Sequence, residues 1–398
     1  MTNLVRGAVA ALAACALFIP VAVGGAANSH ASSRAVCPGP AALGAALCSS
    51  RVVTDSRGNP YATTSPTGYG PKQFHGAYNL PATASVNQTI GIVDAYNDPS
   101  AKSDLDTFDS AYGLSAFPSC SSTITTSCFE KVNQSGGTSY PRTDSGWALE
   151  ISLDVQVAHQ MCQNCKILLV EAKTNSFANL GAAVDEAAVK LGANVVSNSY
   201  GGSDTSPNSD YNHPGVAITA SSGDGGYGVE SPASFNTVVA VGGTTLNLGP
   251  NNSYGSETVW SGSGSGCSTY NIAQSWQTAA SGWSATGCGS ERGVADVAAD
   301  ADPNTGASVY DSTKYQGQAG WFQVGGTSLS SPLIASTYAL AGNASSASYP
   351  ASIPYAHTSS LHDITSGSNG TCSTTMCKGA TGYDGPTGVG TPNGTGGF

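Results

Sequence analysis

Short, wholly apolar runs separated by helix-length stretches set the strongest limit on what this chain can fold into. Thr89-Ile90-Gly91-Ile92-Val93-Asp94 carries apolar side chains on both alternating faces and ends in an acid. Similar runs occupy residues 166–171, 194–198, 215–220 and 237–241. Helical sequence lies around residues 102–112 and over residues 176–191. A strand that is apolar on both faces must be covered on both, which indicates a doubly wound, mostly parallel α/β sheet flanked by helices. The pattern predicts one such domain over residues 71–398. In such sheets ligands sit beyond the carboxyl ends of the strands.

Two features place the chain outside the cell. Arg6, an apolar stretch over residues 8–23 and the small-residue site Ser29-His30-Ala31 read as a secretory signal peptide over residues 1–31. The stretch is shorter than the ~20 residues that a spanning helix needs. Removing Cys15 with the signal leaves ten cysteines in close pairs: Cys37 and Cys48, Cys120 and Cys128, Cys162 and Cys165, Cys267 and Cys288, Cys372 and Cys377. In an exported chain this suggests five local disulfides. Cys162 and Cys165 read as a loop staple, because no second CxxC accompanies them as a zinc site would require. Residues 32–70, rich in Ala, Ser, Gly and Pro, show no periodicity and are expected to form a loosely structured lead-in. With 14 basic against 25 acidic residues and a net charge of −11, the chain should repel nucleic acid and, once the signal is cleaved, membrane surfaces.

Three segments carry candidate chemistry. In residues 145–158, Glu150 and Asp154 fall one helical turn apart on a face shared with Trp147, Ile151 and Ala158. No Lys or Arg stands three or four positions from either acid. Such a pair either faces solvent or, buried, shares a proton. Gly325-Gly326-Thr327-Ser328-Leu329-Ser330-Ser331-Pro332 leads into a helical run over residues 333–340. Ser328 there is an ordinary helix cap or a nucleophile projected into a cleft. Ser221-Ser222-Gly223-Asp224-Gly225-Gly226 follows an apolar run and offers Asp224 as a turn former or as a third acid in the same crevice. A serine nucleophile needs a base. None of His75, His159, His213, His357 and His362 sits in a His-Gly-Thr setting, so a carboxylate is the remaining candidate.

These segments, in this order, resemble the sedolisin family of serine-carboxyl peptidases, which has a subtilisin-like fold. The resemblance includes Phe74-His75-Gly76-Ala77-Tyr78-Asn79-Leu80-Pro81, Ser197-Asn198-Ser199-Tyr200-Gly201-Gly202 and Arg292-Gly293-Val294-Ala295-Asp296-Val297. It implies Ser328 as nucleophile, Glu150 as general base and then acid, Asp154 as its proton-sharing partner, and Asp224 as the oxyanion donor. Asp94 would extend the acid network without acting on substrate. A Ca²⁺ ion held by the carboxylates of Asp363 and Asp384 and the carbonyls of Ile364, Ala380 and Gly382 is implied as well. The expectation is a secreted, monomeric, acid-active peptidase acting on polypeptides, as an endopeptidase or a tripeptidyl-peptidase. The competing readings are a catalytically silent binding protein of the same fold and a His-dependent protease. The sequence departs from the family at Gly225, where Ser is usual, at Tyr200, where Trp is frequent, and in the short stretch between Ala31 and the enzyme-like start.

Overall fold

The computed structural model describes residues 1–2 and 32–398; the expected signal segment lies outside the described residues but for its first two. Within residues 32–398 the apolar runs become the strands of a central eight-stranded sheet. Its order is Tyr254–Val259, Val239–Leu248, Ala217–Ser221, Val195–Asn198, Thr89–Ala95, Lys166–Ala172 and Phe129–Asn133, with Val297–Asp300 also beside Val239–Leu248. Every pairing is parallel except that of Tyr254–Val259, which returns antiparallel along the edge. From Ile90 to Ala95 and from Ile167 to Ala172 every residue is buried, so both faces of the central strands are covered. The helices Ser145–Met161, Phe177–Asp185 and Thr327–Ala341 all pack on these strands.

The chain runs from Thr89–Ala95 out to the Phe129–Asn133 edge, back to Lys166–Ala172, and then crosses to Val195–Asn198 on the other side. This reversal opens a crevice at the carboxyl ends of the central strands. Asp94, Ser199 and Asp224 all lie at or just past such ends.

The lead-in differs from expectation. Residues 32–70 are woven into the domain. Leu47–Cys48 pairs with Tyr200–Ser203, and Arg51–Val53 pairs with both Ser33–Ala35 and Gln318–Gly325. Val36, Ala46 and Val52 are fully buried. Strands of two or three residues leave no periodicity to read, and their partners lie far along the chain, as Val52 opposite Val324 illustrates.

The helix that carries Ser328 also starts earlier than expected. It runs Thr327–Ala341 with Pro332 inside. A proline there removes the amide that would bond the carbonyl four residues back. That carbonyl belongs to Ser328, and it accepts the Ser199 hydroxyl at 3.3 Å instead. The helix therefore continues through the proline at little cost.

The disulfides join Cys37 to Cys48, Cys120 to Cys128, Cys162 to Cys165, Cys267 to Cys288 and Cys372 to Cys377. Arg292 grips Asp296 through two hydrogen bonds, at 2.6 and 2.5 Å, and Asp296 also accepts the Ala240 amide. That motif is a brace between the sheet and its C-terminal cover.

Candidate active site

The acid-pair helix Ser145–Met161 begins where Asp144 accepts the amides of Gly146 and Trp147. From Gly146 to Met161 every residue is buried, which is the signature of a helix enclosed by the core rather than lying on the surface. Glu150 and Asp154 have no solvent exposure, and Asp94 joins them from the end of its strand. None of the six carboxyl oxygens of these three acids has a hydrogen-bond partner among the described residues.

Burial, followed by the charge of Asp94, pushes both Glu150 and Asp154 well above the usual carboxyl range. Burial, followed by Glu171, does the same to Asp94. Three carboxyls at such close quarters cannot all ionise, so the cluster holds protons in common. The nearby hydroxyls of Ser328 and Ser50 oppose that rise at Glu150, and that of Ser199 opposes it at Asp154, although in this arrangement the Ser328 and Ser199 hydroxyls donate to each other's carbonyls. Glu150 is thus the member of the cluster that faces the serine.

Ser328 occupies the first turn of its helix and is fully buried. Its hydroxyl donates to the Ser199 carbonyl at 3.1 Å. Its amide donates to the carbonyl of Ser49 at 2.8 Å. Asp224 approaches the same turn: its Oδ1 accepts the Thr327 amide at 2.8 Å and the Thr327 hydroxyl at 3.0 Å, while Oδ2 is enclosed and unpartnered. The Asp224 residue as a whole remains partly exposed, but its carboxyl is not, and desolvation pushes it up to about 7 against the opposing Thr327 bonds. A neutral Asp224 has a proton to donate from Oδ2. Gly326 makes room for this: a Cβ there would stand 2.3 Å from Ser49 O and 2.5 Å from Asp224 Oδ2, and its φ of +100° is itself one that L side chains rarely adopt.

No described histidine bonds Ser328. His75 lies between the carbonyls of Leu80 and Gln160, and His159 Nε2 is 3.4 Å from Asp109 Oδ1. His213 and His357 contact the carbonyls of Asp210 and Ile353, and His362 stacks on Tyr254.

The structure thus brings Ser328, Glu150, Asp154, Asp94 and Asp224 into one crevice. It adds residues to which sequence reasoning gave no role: Ser199, Thr327, Ser49, Ser50 and Glu230. Glu230 lies against Gly223 and is pushed up to about 7 by burial and by Asp224. Ser199 falls in a quoted motif, yet it acts partly through its carbonyl, which no side-chain pattern reveals.

Asp363, Ile364, Ala380, Gly382 and Asp384 converge elsewhere, near the C-terminus. Asp384 accepts the Ala380 amide at 2.9 Å, and Asp363 accepts the Gly382 amide at 3.0 Å. Asp384 is buried, and desolvation together with Asp363 pushes it up to about 8 despite three hydrogen bonds. Among the described residues no group of three or more His, Cys, Asp or Glu is arranged to hold a metal ion, so any cation here would rest on two carboxylates and backbone carbonyls. That donor set, hard and short of positive charge, fits Ca²⁺.

A profile described as the Subtilase family matches residues 111–373. Sedolisin from Pseudomonas sp. (strain 101) is 29% identical over 81% of this chain and 59% of its own length. Kumamolisin from Bacillus sp. (strain MN-32) is 30% identical over 83% of this chain and 63% of its own length. The chain therefore spans about three fifths of these relatives. The structure of Pseudomonas sedolisin, a serine-carboxyl proteinase complexed with two molecules of pseudo-iodotyrostatin, superposes with a TM-score of 0.66 at 27% identity, over 83% of this chain and 96% of that one. The chain belongs to the subtilase family, and the serine-carboxyl peptidases of the sedolisin type are its relatives.

Proposed function

We propose that the protein is a secreted serine-carboxyl peptidase that cleaves polypeptides in acid. The observation that carries this reading is the enclosed, unpartnered Asp224 Oδ2, which lies against the same Gly326 turn as the Ser49 carbonyl that accepts the Ser328 amide. Ser328 Oγ attacks the scissile carbonyl carbon, and its proton passes to Glu150. The oxygen that gains charge is held by the Ser328 amide and by the proton on Asp224. Glu150 then returns the proton to the leaving nitrogen as the C–N bond breaks, and water releases the acyl group by the same steps in reverse. Asp154 and Asp94 share protons with Glu150 and set its readiness to accept one.

Asp224 must stay neutral while Glu150 ionises, so turnover belongs below the Asp224 pKa of about 7. Ca²⁺ held by Asp363 and Asp384 with the carbonyls of Ile364, Ala380 and Gly382 would neutralise the buried Asp384 and tie the C-terminal turns together. Ten paired cysteines support an extracellular site of action.

The test is a casein digest across a pH series. Activity should peak in acid and vanish in Ser328→Ala, with the circular dichroism of the variant unchanged. A maximum above neutrality, or full activity in the variant, would defeat the proposal.

A further inference from the structure

The strand Leu47–Cys48 lies in the crevice as a substrate would. It runs antiparallel to Tyr200–Ser203, with Leu47 opposite Gly201 and Cys48 opposite Tyr200. The Ser49 amide donates to the Ser199 carbonyl at 3.1 Å, and the Ser49 carbonyl accepts from Ser328. The Ser50 carbonyl in turn accepts the Val36 amide, so the chain is fixed on both sides of the Ser49 carbonyl. The Ser49–Ser50 bond therefore occupies the reaction position, with its carbonyl on the Ser328 amide and against the same Gly326 turn as the Asp224 carboxyl.

The far side of that bond is held as firmly. Arg51–Val53 is paired with Gln318–Gly325 and with Ser33–Ala35, and the Val36 amide donates to the Ser50 carbonyl at 2.9 Å. Cys48 is bonded to Cys37. A second path thus crosses the bond: from Cys48 through the disulfide to Cys37, along Val36 to Ser33–Ala35, and over the strand pair to Arg51–Val53. Cutting Ser49–Ser50 would leave both ends in place.

From this geometry we infer that the chain carries its own inhibitor: the loop closed by Cys37 and Cys48 presents Ser49–Ser50 to Ser328, is cut there, and stays seated in the crevice. The cut forms an ester between Ser328 Oγ and the Ser49 carbonyl carbon, and the Ser50 nitrogen leaves with the proton from Glu150. Water then frees a Ser49 carboxylate. Severed ends held at millimolar or higher effective concentration compete with any substrate from solution. The inference rests on the peptidase reading above.

Its test separates the two. Wild-type protein incubated in acid should show a new amino terminus at Ser50 by mass spectrometry and end sequencing, and Ser328→Ala should not. The double variant Cys37→Ser, Cys48→Ser should lower KM for casein by about tenfold or more, with kcat little changed. A wild type that digests casein with Ser49–Ser50 intact, or an unchanged KM in the double variant, overturns the inference and leaves the peptidase standing. Absence of both casein turnover and a Ser50 terminus in every variant overturns both. Should the double variant fail to fold, Ser50→Pro decides: its bond should stay whole and casein turnover should fall below wild type. Wild-type turnover with that bond whole overturns the inference.

Discussion

Raising the pH from 5 to 6.5 should destabilise this protein steeply, although many proteins are near their most stable in that range. Glu171 and Asp311 are fully buried, and desolvation pushes them up to about 7 and about 8; the Asp224 carboxyl follows at about 7. In the unfolded chain these groups release their protons near 3.8 to 4.5. Between pH 5 and 6.5 the native state therefore binds about three protons that the unfolded state has lost. Stability then falls as pH rises, by about 4 kcal/mol per pH unit for three protons. The raised cluster of Asp94, Glu150 and Asp154 acts in the same direction. Calorimetric melting of Ser328→Ala, which cannot digest itself, would measure this, with calcium in excess to hold the Asp363 and Asp384 turns constant. Tm should drop by several degrees across the window. A Tm that stays level or climbs from pH 5 to 6.5 would refute the reasoning, because it would mean that these carboxyls are ionised in the folded protein.

Two further outcomes follow from the same geometry. Asp224→Asn exchanges a proton that can be lost for an amide that always donates, so casein turnover should survive in part while the alkaline limb near pH 7 disappears; a limb left in place would assign it to another group. Chelating calcium should lower Tm, by an amount equivalent to about 4 kcal/mol where the free ion had stood a thousandfold above its Kd, and adding the ion back should restore it; no shift would remove the cation from the C-terminal turns.

The sequence was sufficient for whatever depends on spacing along one element. Apolar runs on both faces specify buried parallel strands, and the four-residue interval from Glu150 to Asp154 places two acids on one helix face. Close cysteine pairs such as Cys162 and Cys165 need only a local loop. The Pro332 position misled, because a proline ordinarily marks a helix start, and the Ser199 hydroxyl that satisfies the orphaned Ser328 carbonyl is 129 residues away. Nothing local could reveal that.

Tertiary structure alone decided the rest. It enclosed the acid-pair helix on every side, which turned a pair of carboxyls that could have faced water into a proton-sharing cluster with Asp94. It laid Leu47–Cys48 beside Tyr200–Ser203, where the partners meet through backbone amides and carbonyls common to every residue type. Side-chain periodicity records which way a residue faces within its own helix or strand; which distant backbone lies opposite it, and whether water reaches it there, is settled only when the whole chain is packed.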